Sequence, residues 1–455
     1  MRCWGLGAPG LWHDEALSHY YASQDPGWIL HYAAGPINHP PLFFLLLKGW
    51  LSLGPTYHQA FVEGLNVLVA LAGLGIVYRW IQVLRDWRWA TFGAGILALH
   101  PFHVYFSTEL RMYALAAFAV TAMVYFAVRL IGRQGSDTVN CWGWTLASLV
   151  CVYTHSFTLL PVILSVLWLG GRSFKTGRYK KFLWSLLVLI LGYAPWGIFV
   201  IRQALRISGD YWLPPFQWDF LWTLALWFSG YIGPKGAGLY YWGIVSMAVA
   251  GFLFPLSLSF SGIDRSDLGL VWLVVLGPIT LAVMVSLSGQ SVFLYRVFFP
   301  LLPILLYPLV VGYDLMPFRV AVVSCGLLGL LLVTETVNLK NNPPNQYARD
   351  TADWITRNLD RDMIVLHTSG KTYFPSRFYH QGGSNEFFVG ARDHLGVSLT
   401  PSMKRNLGNT RPVLIVYPGE EKPEWVQSLS NRVKSSRRYS ENGRTFEALV
   451  LHAKS

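Results

Sequence analysis

The sequence predicts a mainly α-helical, polytopic membrane protein with a small α/β domain at its C-terminal end. Three observations carry this. Of 455 residues 53% are apolar and only 13% are charged, where a soluble globular chain carries about a quarter charged residues. The mean hydropathy is +0.37, and apolar stretches near the ~20 residues that cross a ~30 Å hydrocarbon core recur along most of the chain. From about Asn338 onward the chain turns polar, and short strand and helix patterns alternate.

Residues 1–60 read as an external first loop with interfacial helices. The segment 41–53 opens on Pro40-Pro41, and proline suits a first helical turn, where the missing backbone donor costs nothing. It is too short to span, so it reads as a helix lying at the membrane surface. Residues 61–337 form the membrane domain, with apolar stretches at 61–84, 89–107, 112–130, 182–202, 240–260, 268–287, 296–313 and 318–335, and one long run at 142–170. That run has basic flanks on both sides, Arg129 and Arg133 before it and Arg172, Lys175, Arg178, Lys180 and Lys181 after it. Ends on one face demand a hairpin, so the run divides into two short spans with Thr154-His155-Ser156 at the tip.

Ten spans then place twelve basic residues in the loops of one face and five, Arg111, Arg202, Arg206, Lys235 and Arg296, in the loops of the other. The positive-inside rule makes the richer face cytoplasmic. Asp14, Glu109, His155, Arg296 and the whole tail fall on the external face of a multi-pass cell-membrane protein. An external N-terminus without a signal-peptide pattern in its first ten residues predicts a further span upstream. The net charge of +12 is thereby topological, and no nucleic-acid partner is implied.

Residues 338–455 read as the external α/β domain, with a helix at 347–359, strands at 363–367 and 413–417, a helix at 423–429 and a last strand at 446–451. The four cysteines, Cys3, Cys141, Cys151 and Cys325, lie in or beside apolar stretches and imply no disulfide framework.

In so apolar a chain, charges at span ends need a reason. Asp14, beside Glu15 and among Trp12, His13 and Tyr20, could take a proton from a hydroxyl nucleophile, help worth ~10² to 10⁴ in rate. An acid pair solvated on a loop is the plainer reading. Glu109 could position an acceptor or a metal, and Arg111 could pair with a carboxylate; an ion pair capping two helices is the alternative. Arg296 opens an otherwise apolar span, and burying its charge near mid-bilayer costs at least ~2.5 kcal/mol, so it should meet a headgroup, a carboxylate or a substrate phosphate. The guanidinium fork matches a phosphate, and snorkelling to ordinary headgroups is the competing account. His39 alone reads as a wetted interfacial side chain, and His155 alone as structural. There is no cysteine or histidine cluster with zinc spacing, no glycine-rich phosphate loop and no serine elbow.

Taken in order, Trp12-His13-Asp14-Glu15, His39-Pro40-Pro41-Leu42, Ser107-Thr108-Glu109-Leu110-Arg111-Met112-Tyr113, Tyr153-Thr154-His155 and Tyr295-Arg296 with Pro300 and Pro303 resemble the GT-C superfamily of membrane glycosyltransferases. The branch resembled is that of the dolichyl-phosphate-mannose protein mannosyltransferases and the bacterial aminoarabinose transferase. Residues 343–359, leading into Met363-Ile364-Val365, resemble the start of that family's external domain. The resemblance implies a GT-C fold and transfer of a sugar from a polyprenyl-phosphate donor to a lipid, glycan or protein hydroxyl on the external face, with inversion. It implies Asp14, Glu15 and Glu109 as catalytic residues and Arg111, Tyr113, His39, His155, Tyr295 and Arg296 as substrate-binding ones. A cofactor is not implied, although two acids on one face leave a divalent cation open. Glu63 stands where the family tends to show arginine. A transporter or flippase of lipid-linked sugar would share the spans and external charges, though no internal repeat is present. A membrane scaffold would tolerate Asp14→Asn.

Overall fold

The computed structural model describes residues 6–7, 10–35, 39–132, 135–177, 179–207, 213–231, 233, 239–262, 266–289, 291–342, 346–358, 364–381, 386–389, 413–418, 426, 433–441 and 444–451. The chain divides into two compact units. Gly27–Leu46 and Gly64–Asn342 form the membrane unit, while Gly5–Pro26, Leu47–Glu63 and Pro343–Ser455 form the other.

Three short helices come first, α1 (His13–Ser23), α2 (Pro26–Ala33) and α3 (Leu42–Leu51). Next are α4 (Gln59–Leu84), α5 (Trp87–Leu99), α6 (Pro101–Thr108), α7 (Tyr113–Ile131), α8 (Asp137–Thr154) and, after a 3-10 turn at Ser156–Thr158, α9 (Leu159–Lys175). The membrane unit continues through α10 (Tyr179–Ile207), α11 (Asp219–Ser229), α12 (Leu239–Ala248), a π-helical turn at Val249–Leu253 and α13 (Phe254–Leu258). It closes with α14 (Ser266–Leu287), a 3-10 segment at Tyr295–Leu301, α15 (Leu302–Asp314) and α16 (Phe318–Asn341).

Among the described residues eight helical stretches are long and apolar enough to cross a membrane: Gln59–Leu84, Tyr113–Ile131, Ser156–Lys175, Tyr179–Arg202, Tyr240–Ser261, Asp267–Leu287, Tyr295–Asp314 and Phe318–Asn341. Two of the ten expected spans are not among these eight. The stretch 89–107 is two helices, because Pro101 has no N–H and its ring drives His100 out of helical geometry, to φ −67° and ψ 118°. α8 forms as expected and ends at His155, but Asp137, Asn140, Thr145 and Ser148 make it too polar to count among the eight. α3, with 10 residues, reaches only ~15 Å and cannot cross.

Burial ranks these helices. In Tyr295–Asp314, which forms the centre of the unit, 89% of an apolar 18-residue window is buried, whereas in Tyr179–Arg202, along its outside, the share is 11%. α7 turns Ala114, Ala116, Ala117, Ala119 and Ala122 inward, and such small side chains let helix backbones approach closely where no hydrophobic effect drives association. The π-helical turn has a local cause. Pro255 cannot donate to the carbonyl of Gly251, and the Tyr313 hydroxyl donates to that carbonyl instead, at 2.7 Å. Ser324 donates to the neighbouring carbonyl of Ala250 at 2.6 Å. The contact between α13 and α15 is so close that a Cβ on Gly312 would lie 1.7 Å from the Pro255 carbonyl oxygen.

The second unit holds α17 (Gln346–Asn358), β1 (Ile364–His367), α18 (Gly370–Tyr379), β2 (Glu386–Phe388), β3 (Val413–Pro418), β4 (Val433–Glu441) and β5 (Arg444–Leu451). Its sheet runs β2-β1-β3-β5-β4. β1 pairs in parallel with β2 and β3, and β5 is antiparallel to β3 and β4. A parallel neighbour needs a crossover, and α18 supplies it between β1 and β2. Glu386 draws that crossover together, accepting hydrogen bonds from Ser376 at 2.9 Å and from His380. α18, β2 and β4 extend the expected pattern, while the helix expected at 423–429 lies outside the described residues except for Val426.

α1 packs along α18 in this unit. Leu11 N donates to the Tyr379 hydroxyl at 2.8 Å, the His13 ring meets Phe374 at 5.7 Å, and the His19 ring meets Phe378 edge-on at 4.9 Å. Glu63 accepts from Gly7 N at 2.9 Å and from Gln59 at 2.6 Å, and Arg349 donates to both the Gly7 carbonyl and Gln59 at 2.7 Å. An acid at position 63 is thus the acceptor that this network requires.

Gly312→Ala is expected to destabilise the membrane unit by more than the ~1 to 3 kcal/mol of ordinary overpacking, because backbone rather than a side chain must give way. Thermal unfolding of the detergent-solubilised variant checks this; a Tm equal to that of the parent would refute the contact.

Candidate functional site

The site in the membrane unit is built on the turn between α6 and α7. Glu109 ends α6 in extended geometry, φ −66° and ψ 125°, and Arg111 N donates back to the Glu109 carbonyl at 2.7 Å. So tight a turn leaves two carbonyls pointing into the protein. Asn66 on α4, 1% exposed, serves both: its side-chain amide donates to the Glu109 carbonyl and, at 2.9 Å, to that of Arg111.

Held in this way, the Arg111 guanidinium donates to His39 Nε2 at 3.0 Å. The His39 ring lies 5.7 Å from that of His155, which in turn lies 5.8 Å from Tyr113. Nδ1 of His155 accepts the Phe157 N–H at 3.1 Å, capping the turn that begins α9. The proton of the neutral ring therefore sits on Nε2. His39 accepts at Nε2 and by the same logic carries its proton on Nδ1.

Electrostatics keeps both rings neutral. Burial, followed by the charge of Arg111, then His155 and Arg296, holds His39 well below the usual imidazole range. His155 is pushed down to about 3 by burial first and by Arg111 and Arg296 after it. Both rings stay neutral at physiological pH while two guanidinium groups act on them. Glu109, Arg111, Tyr113 and His155 are all buried. The arrangement sets two guanidinium groups and neutral N–H groups together, with the Glu109 carboxylate in the same turn; guanidinium and N–H donors suit a phosphate.

The structure thus brings together His39, Arg111, Tyr113 and His155, with Glu109 in the same turn and Arg296 within electrostatic reach. Tyr295, the chain neighbour of Arg296, packs its ring against Phe220 at 5.7 Å and Trp227 at 5.4 Å. Asp14 and Glu15 belong to the other unit, in the first turn of α1. The carboxylate of Glu15 accepts the Trp12 N–H at 3.3 Å, while Asp14 is half-buried and its carbonyl takes the Ser18 hydroxyl at 2.8 Å. Among the described residues no group of three or more His, Cys, Asp or Glu side chains is arranged to hold a metal ion. Asn66 escaped the sequence reading; its signal is an amide inside an apolar span, where a polar side chain needs a buried partner.

Neither a family model nor a curated protein sequence matches the chain. ArnT from Cupriavidus metallidurans in the apo state matches its structure with a TM-score of 0.66 at 14% identity, over 98% of this chain and 95% of that one. The same protein bound to undecaprenyl phosphate matches with 0.63 at 15% identity, over 98% and 96%. The fold is that of ArnT. This is the GT-C architecture that the ordered motifs imply, in a multi-pass helical membrane protein. The Archaeoglobus fulgidus oligosaccharyltransferase, in complex with Zn and sulfate, matches at a TM-score of 0.47 and 10% identity over 89% of this chain and 64% of that one.

Two outcomes follow from this geometry. Asn66→Ala removes one side-chain hydrogen bond from each of the two carbonyls, at ~0.5 to 1.5 kcal/mol each, and is expected to loosen the Glu109–Arg111 turn; greater exchange of the Arg111 amide hydrogen would register it, and unchanged exchange would contradict it. His39 and His155 take up protons in the unfolded chain below pH ~6.5, but His155 does so in the folded protein only near 3. Stability therefore falls as pH drops from about 6.5 towards 3, and His155→Gln should flatten that slope in a Tm-against-pH series.

Proposed function

We propose that this protein is a membrane glycosyltransferase that moves a sugar from a polyprenyl-phosphate donor to an acceptor hydroxyl on the external face, with inversion at the anomeric carbon. The observation that carries the proposal is the Arg111–His39–His155 cluster, acted on by Arg296, within an ArnT fold. A bilayer offers such a cluster one abundant class of partner, a phosphate on a lipid. That ArnT has been solved with undecaprenyl phosphate bound supports the carrier class, and the loop-charge bias supports the external face.

In the proposed reaction the acceptor hydroxyl gives its proton to Asp14, its oxygen attacks the anomeric carbon, and the bond from that carbon to the phosphate oxygen breaks. The bonding electrons leave with the polyprenyl phosphate. Arg111 and Arg296 hold the charge that grows there, and the N–H groups of His39 and His155 hydrogen-bond without adding charge of their own. Attack on the face opposite the departing phosphate gives inversion. Glu15 and Glu109 support the acid–base work, and Tyr113 and Tyr295 complete the proposed substrate-binding set. The acceptor is a lipid, glycan or protein hydroxyl. Donor and leaving group are both lipids, which accounts for a site without a nucleotide loop.

The test is release of free polyprenyl phosphate from a panel of polyprenyl-phosphate sugars, in membranes supplied with a crude acceptor extract. One donor is expected to react and to name the sugar. Asp14→Asn should lower turnover by ~10² or more, and Arg296→Ala by ~10² to 10³, with partial recovery in Arg296→Lys. No release from any donor by folded protein would overturn the proposal, and movement of intact donor across proteoliposomes would then identify a flippase.

A further inference from the structure

At the end of α8 opposite His155, some 18 residues and ~27 Å along the helix, a second feature has no part in the proposed chemistry. A cavity opens between the end of α7, the start of α8, the end of α9 and the start of α10. Leu130, Trp144, Leu169 and Phe182 line its apolar wall, and Arg172 and Lys181 stand at its polar end. An adjoining groove shares Cys141, Lys181 and Ser185 with it and continues between α8 and α10 along Trp142, Trp184 and Val188. Charge and apolar surface are therefore continuous, the charge at the helix ends and the groove running along the helices.

The surroundings indicate what fills it. α10 forms the outside of the membrane unit, and Leu183, Trp184, Leu187, Ile190 and Leu191 on it are exposed. Trp142 and Trp184 are 52% and 69% exposed at the groove, and Phe174 and Tyr179 stack in parallel at 6.0 Å near its charged end. Exposed aromatic side chains beside basic ones mark the level of the headgroups. Asp137 lies 3.6 Å from Lys181 and offsets part of its charge; Arg172, with Lys175 and Lys180 close by in sequence, leaves the end positive. A soluble anion would have no use for the tryptophan-lined groove, and an uncharged lipid none for the basic end.

We infer that this cavity is a binding site for an anionic phospholipid of the surrounding bilayer, its phosphate at Arg172 and Lys181 and an acyl chain in the groove between α8 and α10. The inference stands independently of the proposed transferase.

Native mass spectrometry of the full detergent-solubilised chain, titrated with phosphatidylglycerol and separately with phosphatidylcholine, tests it. The wild type should retain phosphatidylglycerol in preference to phosphatidylcholine. Arg172→Ala and Lys181→Ala should each weaken that retention about fivefold, the worth of one basic residue near an anionic membrane surface, and Arg172→Lys with Lys181→Arg should restore it. Arg319→Ala, which removes an exposed charge outside the cavity, should leave it unchanged. Equal retention of the two lipids, an equal loss in Arg319→Ala, or displacement by inorganic phosphate alone would overturn the inference. A variant that unfolds is recognised by its Tm in detergent without added lipid, and Trp184→Leu, which shortens the groove wall and keeps both charges, then decides by its loss of phosphatidylglycerol retention.

Discussion

A carbonyl freed inside a bilayer has no water to turn to, so each break in a helix must be met by a side-chain donor from the protein itself. This constraint runs through the membrane unit. Thr336 donates to the Leu99 carbonyl at 2.6 Å where Pro101 interrupts the chain, and a ring nitrogen of His100 lies 2.9 Å from the Phe228 carbonyl at the end of α11. Tyr313 and Ser324 serve the π-helical turn in the same manner, and Asn66 serves the turn that carries Glu109 and Arg111. The candidate site is thus one more instance of the rule that shapes the unit. An irregular backbone gathers charged and aromatic side chains, and a buried amide makes the irregularity tolerable.

The electrostatics rests on the same scarcity of water. A guanidinium without solvent keeps its charge, while an imidazole beside it gives its proton up, so burial and neighbouring charge sort Arg111 and Arg296 from His39 and His155. Hydrogen-bond geometry then fixes the tautomers: Phe157 N occupies one nitrogen of His155, and Arg111 occupies one of His39. Two arginines and two histidines thus stand as two cations beside two neutral donors.

Much of this was legible in the sequence where one local property decides the outcome. Long apolar runs marked most of the spans, the basic flanks of 142–170 marked the break at His155, and buried runs marked β1, β3 and β5. The break at His100-Pro101 was equally local, yet unbroken apolarity outweighed one proline in the reading. α18 was hidden by Pro375 and by a sequence, GKTYFPSRFY, without helical periodicity; contacts with α1 and α17 hold it in place. β4, VKSSRRYSE, has almost no apolar residues and is a strand through its pairing with β5. Of the site, the charged and histidine positions stood out because charge is rare here, while the role of Asn66 depends on a turn more than forty residues away. That Arg111 meets His39, 72 positions earlier, is likewise a product of folding that no local pattern carries.

α10 bears a different consequence. Its apolar stretch, Tyr179–Arg202, has 24 residues, which at 1.5 Å each reach ~36 Å, more than the ~30 Å of hydrocarbon in an average bilayer. The surplus is absorbed by tilt or bending, and Pro195 within the helix provides a place to bend. A helix with only 11% of an 18-residue apolar window buried follows the lipid more readily than the core behind it, which makes α10 a part of the molecule on which membrane thickness acts.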